Sequence, residues 1–354
     1  MNKIKLLEKL SNLHGAPGHE HDVVDFIRKE MNEFSCIRDS INNLYIKNKD
    51  EVESKPIVAL DCHSDEVGFI VEGIKANGTI SFLPLGGWHI TNIPAHSVVI
   101  KNFKGEYIKG VVSSKPPHFM TIEEKARLPK MDELVIDIGT SSYEETVNLY
   151  GIEVGNPITP DVQFSYDEKI DVVRGKAFDN RLGCAIVMEI LKETKNSTID
   201  VTPVGVISSQ EEVGLRGAVV AANTVKPDFA IIFEGSPADD TFKDSFSSKG
   251  AIGKGIQFRV LDAGMVSNPR VQEFVKKVAT ENEIKYQVIA RSGGSTNGGK
   301  YHIAEKSIPT VVIGIPTRYV HTHYTYASVK DYRDAILFGK KILEKLTKET
   351  IESF

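Results

Sequence analysis

Cysteine is scarce: the 354 residues contain three, Cys36, Cys62 and Cys184, at unrelated spacings and with no CxxC pair. That excludes a disulfide framework and a thiolate zinc site, and it fits a protein of the reducing cytoplasm. No basic run occurs and the formal net charge is -5, so the electrostatic footprint of a nucleic-acid binder is missing. No apolar run approaches the length of a membrane span. The opening MNKIKLLEKLSNLHG interleaves charges with its leucines and lacks the apolar core of a signal peptide. Internal repeats and low-complexity segments are absent too. Neither nucleic acid nor membrane is therefore an expected partner. What is present is ordinary for a globular protein, with 41% apolar and 26% charged residues. The length suggests two domains and allows a core that stands without cross-links.

The pattern along the chain changes twice. Ile4, Leu7, Leu10 and Leu13 recur at helical spacing until Gly15 to Gly18 interrupt them, and a second helix is expected over about 19–34. The apolar run Ile57 to Leu60 reads as a buried strand leading into Asp61, Cys62, His63, Ser64 and Asp65. From 69 to 164 short strands alternate with turn signals, Asn77-Gly78 and Lys104-Gly105 among them. A small barrel or sandwich with little helix is expected there. After 165 strands and helices alternate again, with helices expected over 268–282 and 328–349. The expectation is an α/β protein: a discontinuous sheet domain from 1–68 and 165–354, with a β-rich module of 69–164 inserted into it.

Four apolar runs end in acidic or histidine side chains: IVALDCHSDE (His63, Asp65, Glu66), VGVISSQEE (Glu211, Glu212), FAIIFEG (Glu234) and VVIGIPTRYVHTH (His321, His323). A fifth segment, VRGKAFDNRLG, carries Asp179 just ahead of a helix. In open α/β sheets, sites form beyond the carboxyl ends of the strands. Carboxylates and imidazoles gathered there are costly to desolvate unless something pairs with them. A divalent cation is the simplest common partner, and a mixed histidine and carboxylate set suits zinc, cobalt or manganese better than calcium. Each segment has an ordinary reading when taken alone. His63-x-Asp65 could be a hydrogen-bonded pair, Asp179 an N-cap, Glu211-Glu212 a helix start, and His321 and His323 the flanks of a solvated loop. Five such events in one chain are what favour metal chemistry.

In that order, HSDEVG, AFDNRLG, SSQEEVGLRGA, FEGSPADD and PTRYVHTH resemble the glutamyl aminopeptidase and cellulase M-like family of metallo-aminopeptidases, known for tetrahedral dodecamers. LHGAPGHEHDVVDFI and KPPHFM extend the resemblance over nearly the whole chain. It implies a mixed-sheet zinc-peptidase-like domain with helices on both faces, and two divalent ions per subunit, zinc or cobalt with manganese as a further choice. By resemblance, His63 and Glu234 hold one ion, Glu212 and His321 the other, and Asp179 bridges them. Glu211 is then the general base that takes a proton from the attacking water, and Asp65 stands behind His63 and fixes its tautomer. Peptides are the implied substrates. The implied assembly is a homo-oligomer in which the β module supports dimers and dimers build a dodecamer. Three positions depart from the family: Glu234 where many members have Asp, Asn297 where Asp is usual, and Thr322-His323 where Ser-Pro often follows the histidine.

Other features have plainer readings. GSTNGGK (294–300) lacks the Ser or Thr that a phosphate-binding loop needs after its lysine, since Tyr301 stands there; its glycines are read as a loop close to the site. Cys62 and Cys184 lie in apolar runs and read as small core residues. His14, His19 and His21 read as solvated loop or cap residues. His89 and His118 are candidates for the substrate entrance, a subunit contact or a structural role. Three functions compete: an aminopeptidase; a deacylase or other amidase using the same ions; and a non-catalytic assembly protein, against which the unbound carboxylate of Glu211 speaks. A glycosidase would need two metal-free carboxylates flanking the sugar, whereas here acids and histidines are interleaved.

Overall fold

The computed structural model describes residues 2–49, 54–305 and 307–354. Eleven strands form one mixed sheet. At its centre Thr202–Ser208, Ile57–His63, Phe229–Ala238 and Thr310–Arg318 lie side by side and parallel. Their sequences are nearly continuous apolar runs, as strands covered on both faces require. Successive residues point to opposite faces. Phe229, Ile231 and Phe233 enter one apolar cluster, while Ala230 and Ile232 enter another.

The larger cluster is closed by the helices Lys3–Asn12, His21–Glu30, Phe178–Thr194, Pro269–Glu281 and Val329–Lys345. The smaller one is closed by Arg216–Val225 and Gly298–His302. Helices therefore cover both faces. Antiparallel strands extend the sheet on either side: Leu44–Lys47 and Ser35–Arg38 beyond Thr202–Ser208, and Thr325–Ser328, Val172–Gly175 and Ser165–Asp167 beyond Thr310–Arg318.

Between Gly68 and Pro160 the chain closes a six-stranded antiparallel barrel. Around the ring its strands are Gly68–Ile74, Ile80–Leu85, Val135–Asp137, Tyr107–Ser113, Ser97–Lys101 and Pro157–Pro160. Phe69, Ile80, Phe82, Ile100 and Ile136 fill it, and closure leaves no free edge to pair with another chain. The barrel is tied to the sheet by Lys101, whose ammonium donates to both oxygens of Asp22 at 2.7 and 2.6 Å, and by His14, 2.7 Å from Thr159 Oγ1. His14 is thus half-buried in this junction, not solvated as its loop position suggests, and burial pushes its pKa down to about 2.

Boundaries shift where tertiary contacts decide them. The strand beginning at Ile57 runs on through His63, because Ile207 and Ser208 continue to pair with Cys62 and His63. The second helix covers only His21–Glu30. The last helix breaks at Leu346, whose backbone is extended, and Thr347 caps a short new helix, Lys348–Glu352.

Candidate metal centre

The carboxyl ends of the central strands meet beside the start of the Phe178–Thr194 helix. His63 ends its strand and is fully buried. Glu211 and Glu212 follow the neighbouring strand in a turn and do not begin the helix Arg216–Val225. The Asp65 carboxylate shapes that turn, accepting the backbone N–H of Glu211 on one oxygen and of Glu212 on the other, both at 3.0 Å. Glu234 projects from within its strand, where Asn180 Nδ2 donates to it at 3.2 Å. His321 follows the end of the strand Thr310–Arg318 in a left-handed conformation, with its side chain 38% exposed.

Asp179 lies in the middle of this group. It has non-helical backbone inside the first turn of the helix, whose N-cap position is held by Ala177. One carboxylate oxygen is 3.1 Å from His63 Nε2 and the other 3.6 Å from His321 Nε2. Glu234 lies 3.6 Å and Glu211 3.9 Å from His63 Nε2, and Glu212 lies 3.2 Å from His321 Nε2. Both imidazoles face inward through Nε2 for a defined reason. A carbonyl oxygen can only accept, so each Nδ1 next to one must carry the proton. Those carbonyls belong to Asp65, 3.1 Å from His63 Nδ1, and Gly87, 2.9 Å from His321 Nδ1. The Asp65 carboxylate is slightly farther from His63 Nδ1, at 3.4 Å. Its backbone and side chain share the orienting work.

Burial and the mutual influence of carboxylates and imidazoles set the electrostatics of the group. Burial pushes the Glu211 and Glu212 carboxyls up, and neighbouring carboxylates add to it. Burial and then Asp179 raise Glu234 to about 7. Burial alone would lower both histidines, but the surrounding carboxylates override it, holding His63 well above its ordinary range and His321 up to about 11. Asp179 is held low, against its burial, by the same two histidines. Glu212 Oε1 is buried without a hydrogen-bond partner. Within the described residues His63, Glu211 and Glu234 can converge on one point, and so can His63, Asp179 and Glu212. The donor set and the orphaned oxygen fit divalent ions of the zinc, cobalt or manganese type.

Glu66, from the same segment as His63, behaves differently. It accepts from Lys176 Nζ at 2.6 and 2.7 Å and from Arg181 at 3.1 Å, so the protein neutralises it internally. His323 is buried and stacked on His96 with ring centroids 4.1 Å apart, outside the group around Asp179. Asn297 lies beneath the site, donating to Asp61 at 2.6 Å and to Ser208 at 2.7 Å. The glycines after it crowd Val312 and Gly264, not the candidate ligands. His89 and His118 are exposed, and Cys62 and Cys184 are buried free thiols. Sequence reading missed Asp61 and the Gly86-Gly87 pair. The first is visible only as a charge inside an apolar run, the second as adjacent glycines after a strand.

Comparison with known proteins places these features in context. The pattern of the family described as M42 glutamyl aminopeptidase matches residues 42–338. The glutamyl aminopeptidase of Lactococcus lactis subsp. cremoris is 30% identical over 98% of this chain and 97% of its own length. A TET aminopeptidase from the marine sediment archaeon Thaumarchaeota archaeon SCGC AB-539-E09 superposes with a TM-score of 0.95 at 33% identity, covering 100% of this chain and 99% of that one. Pyrococcus horikoshii TET1 peptidase, described as able to assemble into a tetrahedron or a large octahedral shell, shares the fold at a TM-score of 0.87 and 23% identity over 98% of this chain and 100% of its own.

Proposed function

The chain belongs to the M42 glutamyl aminopeptidase family, and from that premise we propose that it removes N-terminal residues from peptides with the help of two divalent cations. His63 and Glu234 would hold one ion and Glu212 and His321 the other, with the Asp179 carboxylate within reach of both pairs. The observation that carries this reading is the Asp179 carboxylate, whose oxygens face two histidines, each with a glutamate beside it. A carboxylate placed so can offset the repulsion of two cations.

Bound there, the cations supply Lewis-acid polarisation of the scissile carbonyl and make the attacking water more acidic. The chain does the rest. Glu211 is buried, with its carboxyl pushed upward by burial, which suits a group that takes a proton from water and returns it to the leaving amine. Asp65 fixes Glu211 and Glu212 through their backbone N–H groups, so that one glutamate can ligate while its neighbour stays free to carry the proton. The carbonyls of Asp65 and Gly87 keep both imidazoles in the ligating tautomer.

The test is a panel of unblocked and N-acylated aminoacyl chromogenic amides, assayed after chelator stripping and after reloading with zinc, cobalt or manganese. Metal-dependent release from the unblocked amides supports the aminopeptidase reading and identifies the preferred residue. Loss of the acyl group from the acylated ones, followed by chromatography because it frees no chromophore, with no release from the unblocked ones, replaces it with a deacylase. A folded chain that binds metal yet does neither leaves the assembly protein. In the same assay Glu211→Gln is expected to lose at least about a hundredfold in kcat while keeping two metal equivalents. Retained activity would remove Glu211 from the role of base.

A further inference from the structure

His321 differs from the other proposed ligands in what supports it. The orienting contacts of His63 come from its own strand end, but the carbonyl on His321 Nδ1 belongs to Gly87, in the barrel. That barrel segment lies tight against the site. A Cβ on Gly86 would come within 2.7 Å of Val67 and 3.3 Å of Glu212 Cβ, and one on Gly87 within 3.1 Å of His321 Nδ1. Gly86 also has φ +90°, so the backbone comes this close only because both positions lack side chains.

The next residue anchors the segment. Trp88 donates its indole N–H to Gly68 O at 3.0 Å and stacks on Phe69 at 4.8 Å. Its other neighbour is His323, at 5.3 Å between ring centroids, which in turn stacks on His96 of the barrel at 4.1 Å. His323 is buried. Aromatic rings meet it on both sides, so it serves here as a flat ring. It also lies two residues from His321 on the same loop, joining that loop to the barrel segment that holds His321.

We propose that His323 is a positioning residue for the metal ligand His321: by packing between Trp88 and His96 it locks the loop 321–323 onto the barrel, keeping the Gly87 carbonyl on Nδ1 and Nε2 turned toward Glu212 and Asp179. The proposal rests on the metal-site reading above. It assigns the barrel a part in building the metal centre, and it gives the Thr322-His323 departure from the family pattern a physical role.

Cobalt titration followed by visible absorption tests it, on the wild-type chain, His323→Ala, His323→Phe and Gly87→Ala, with thermal unfolding run alongside. The wild type should take up two equivalents. His323→Ala should keep one and bind the other about 10–100-fold more weakly, the usual loss when a ligand's outer partner is removed, with an altered cobalt spectrum. His323→Phe should restore both, since the ring and not its nitrogens does the packing. Gly87→Ala should weaken the same equivalent with the stack intact. A folded His323→Ala that binds both equivalents like the wild type overturns the proposal, as does a His323→Phe as weak as the alanine variant. If the alanine variant does not fold, unchanged binding by Gly87→Ala overturns it. A wild-type chain that takes up no metal sinks the metal reading as well; two wild-type equivalents that survive in both variants sink this inference alone.

Discussion

Glu66 and Glu234 show what a buried carboxylate needs. Both are nearly inaccessible, and an isolated buried charge is costly. Glu66 has Lys176 and Arg181 in contact, and the interaction is complete within the chain. Glu234, Glu211 and Glu212 make no ion pair with a lysine or arginine among the described residues; their neighbours are His63, His321, Asp179 and, for Glu234, the Asn180 amide. This gives a pH prediction with a definite sign. Glu234 takes up a proton near pH 7, and the carboxylates keep His63 and His321 protonated above their ordinary range. Ligation needs the carboxylates ionised and the imidazoles free at Nε2, so metal binding must release protons. Metal affinity should therefore rise with pH between 6 and 8, by about tenfold per unit for each proton released. Competition against a chelator of known affinity measures it. An affinity that does not change with pH would show that the ions bind elsewhere.

The turn 209–216 carries two adjacent glutamates, a pattern that by itself suits a helix start. Here it stays out of the helix because other elements hold it open. Asp65 takes the N–H groups of Glu211 and Glu212, and Asn43 accepts from Ser209 N at 2.9 Å and donates to Gly217 O at 3.1 Å. Gly217 closes the turn, and a Cβ there would overlap the backbone N and O of Ser209. Gly217→Ala should therefore cost about 1–3 kcal/mol in denaturant unfolding, the usual penalty of overpacking a tight site. The helix Arg216–Val225 itself would accept alanine readily, so an unchanged midpoint would mean that the turn is held less tightly than its contacts imply.

At the scale of the molecule, the barrel closes its own edges, yet its outer connection between Ser113 and Val135 presents Phe119 at 72%, Ile122 at 83% and Leu128 at 55% exposure. Neighbouring apolar side chains left in water mark surfaces of association. In the assembly that the family resemblance implies, in which the β module supports dimers and dimers build a dodecamer, they are expected to be covered by other subunits. Light scattering on the purified chain decides it: a mass near twelve subunits of about 39.1 kDa supports the assembly, and a monomeric mass at micromolar concentration rules it out.

The sequence by itself determined the alternation of elements, the change of texture through the barrel, and the carboxylates and histidines that end apolar runs. Each is a local property: strand and helix periods, turn chemistry, and charge set against hydrophobicity. Only the family resemblance put Asp179 between His63 and His321; residue pattern could not, because the distances depend on how separate strands come into register. Pattern alone likewise could not tell Glu66 from Glu234, because Lys176 and Arg181 reach only the former in space. Nor could it show why His321 turns its Nε2 inward, since the carbonyl that does this comes from Gly87, far away in the chain. Only tertiary structure decided these, because the partners of a buried charge are chosen by packing between segments that are distant in sequence.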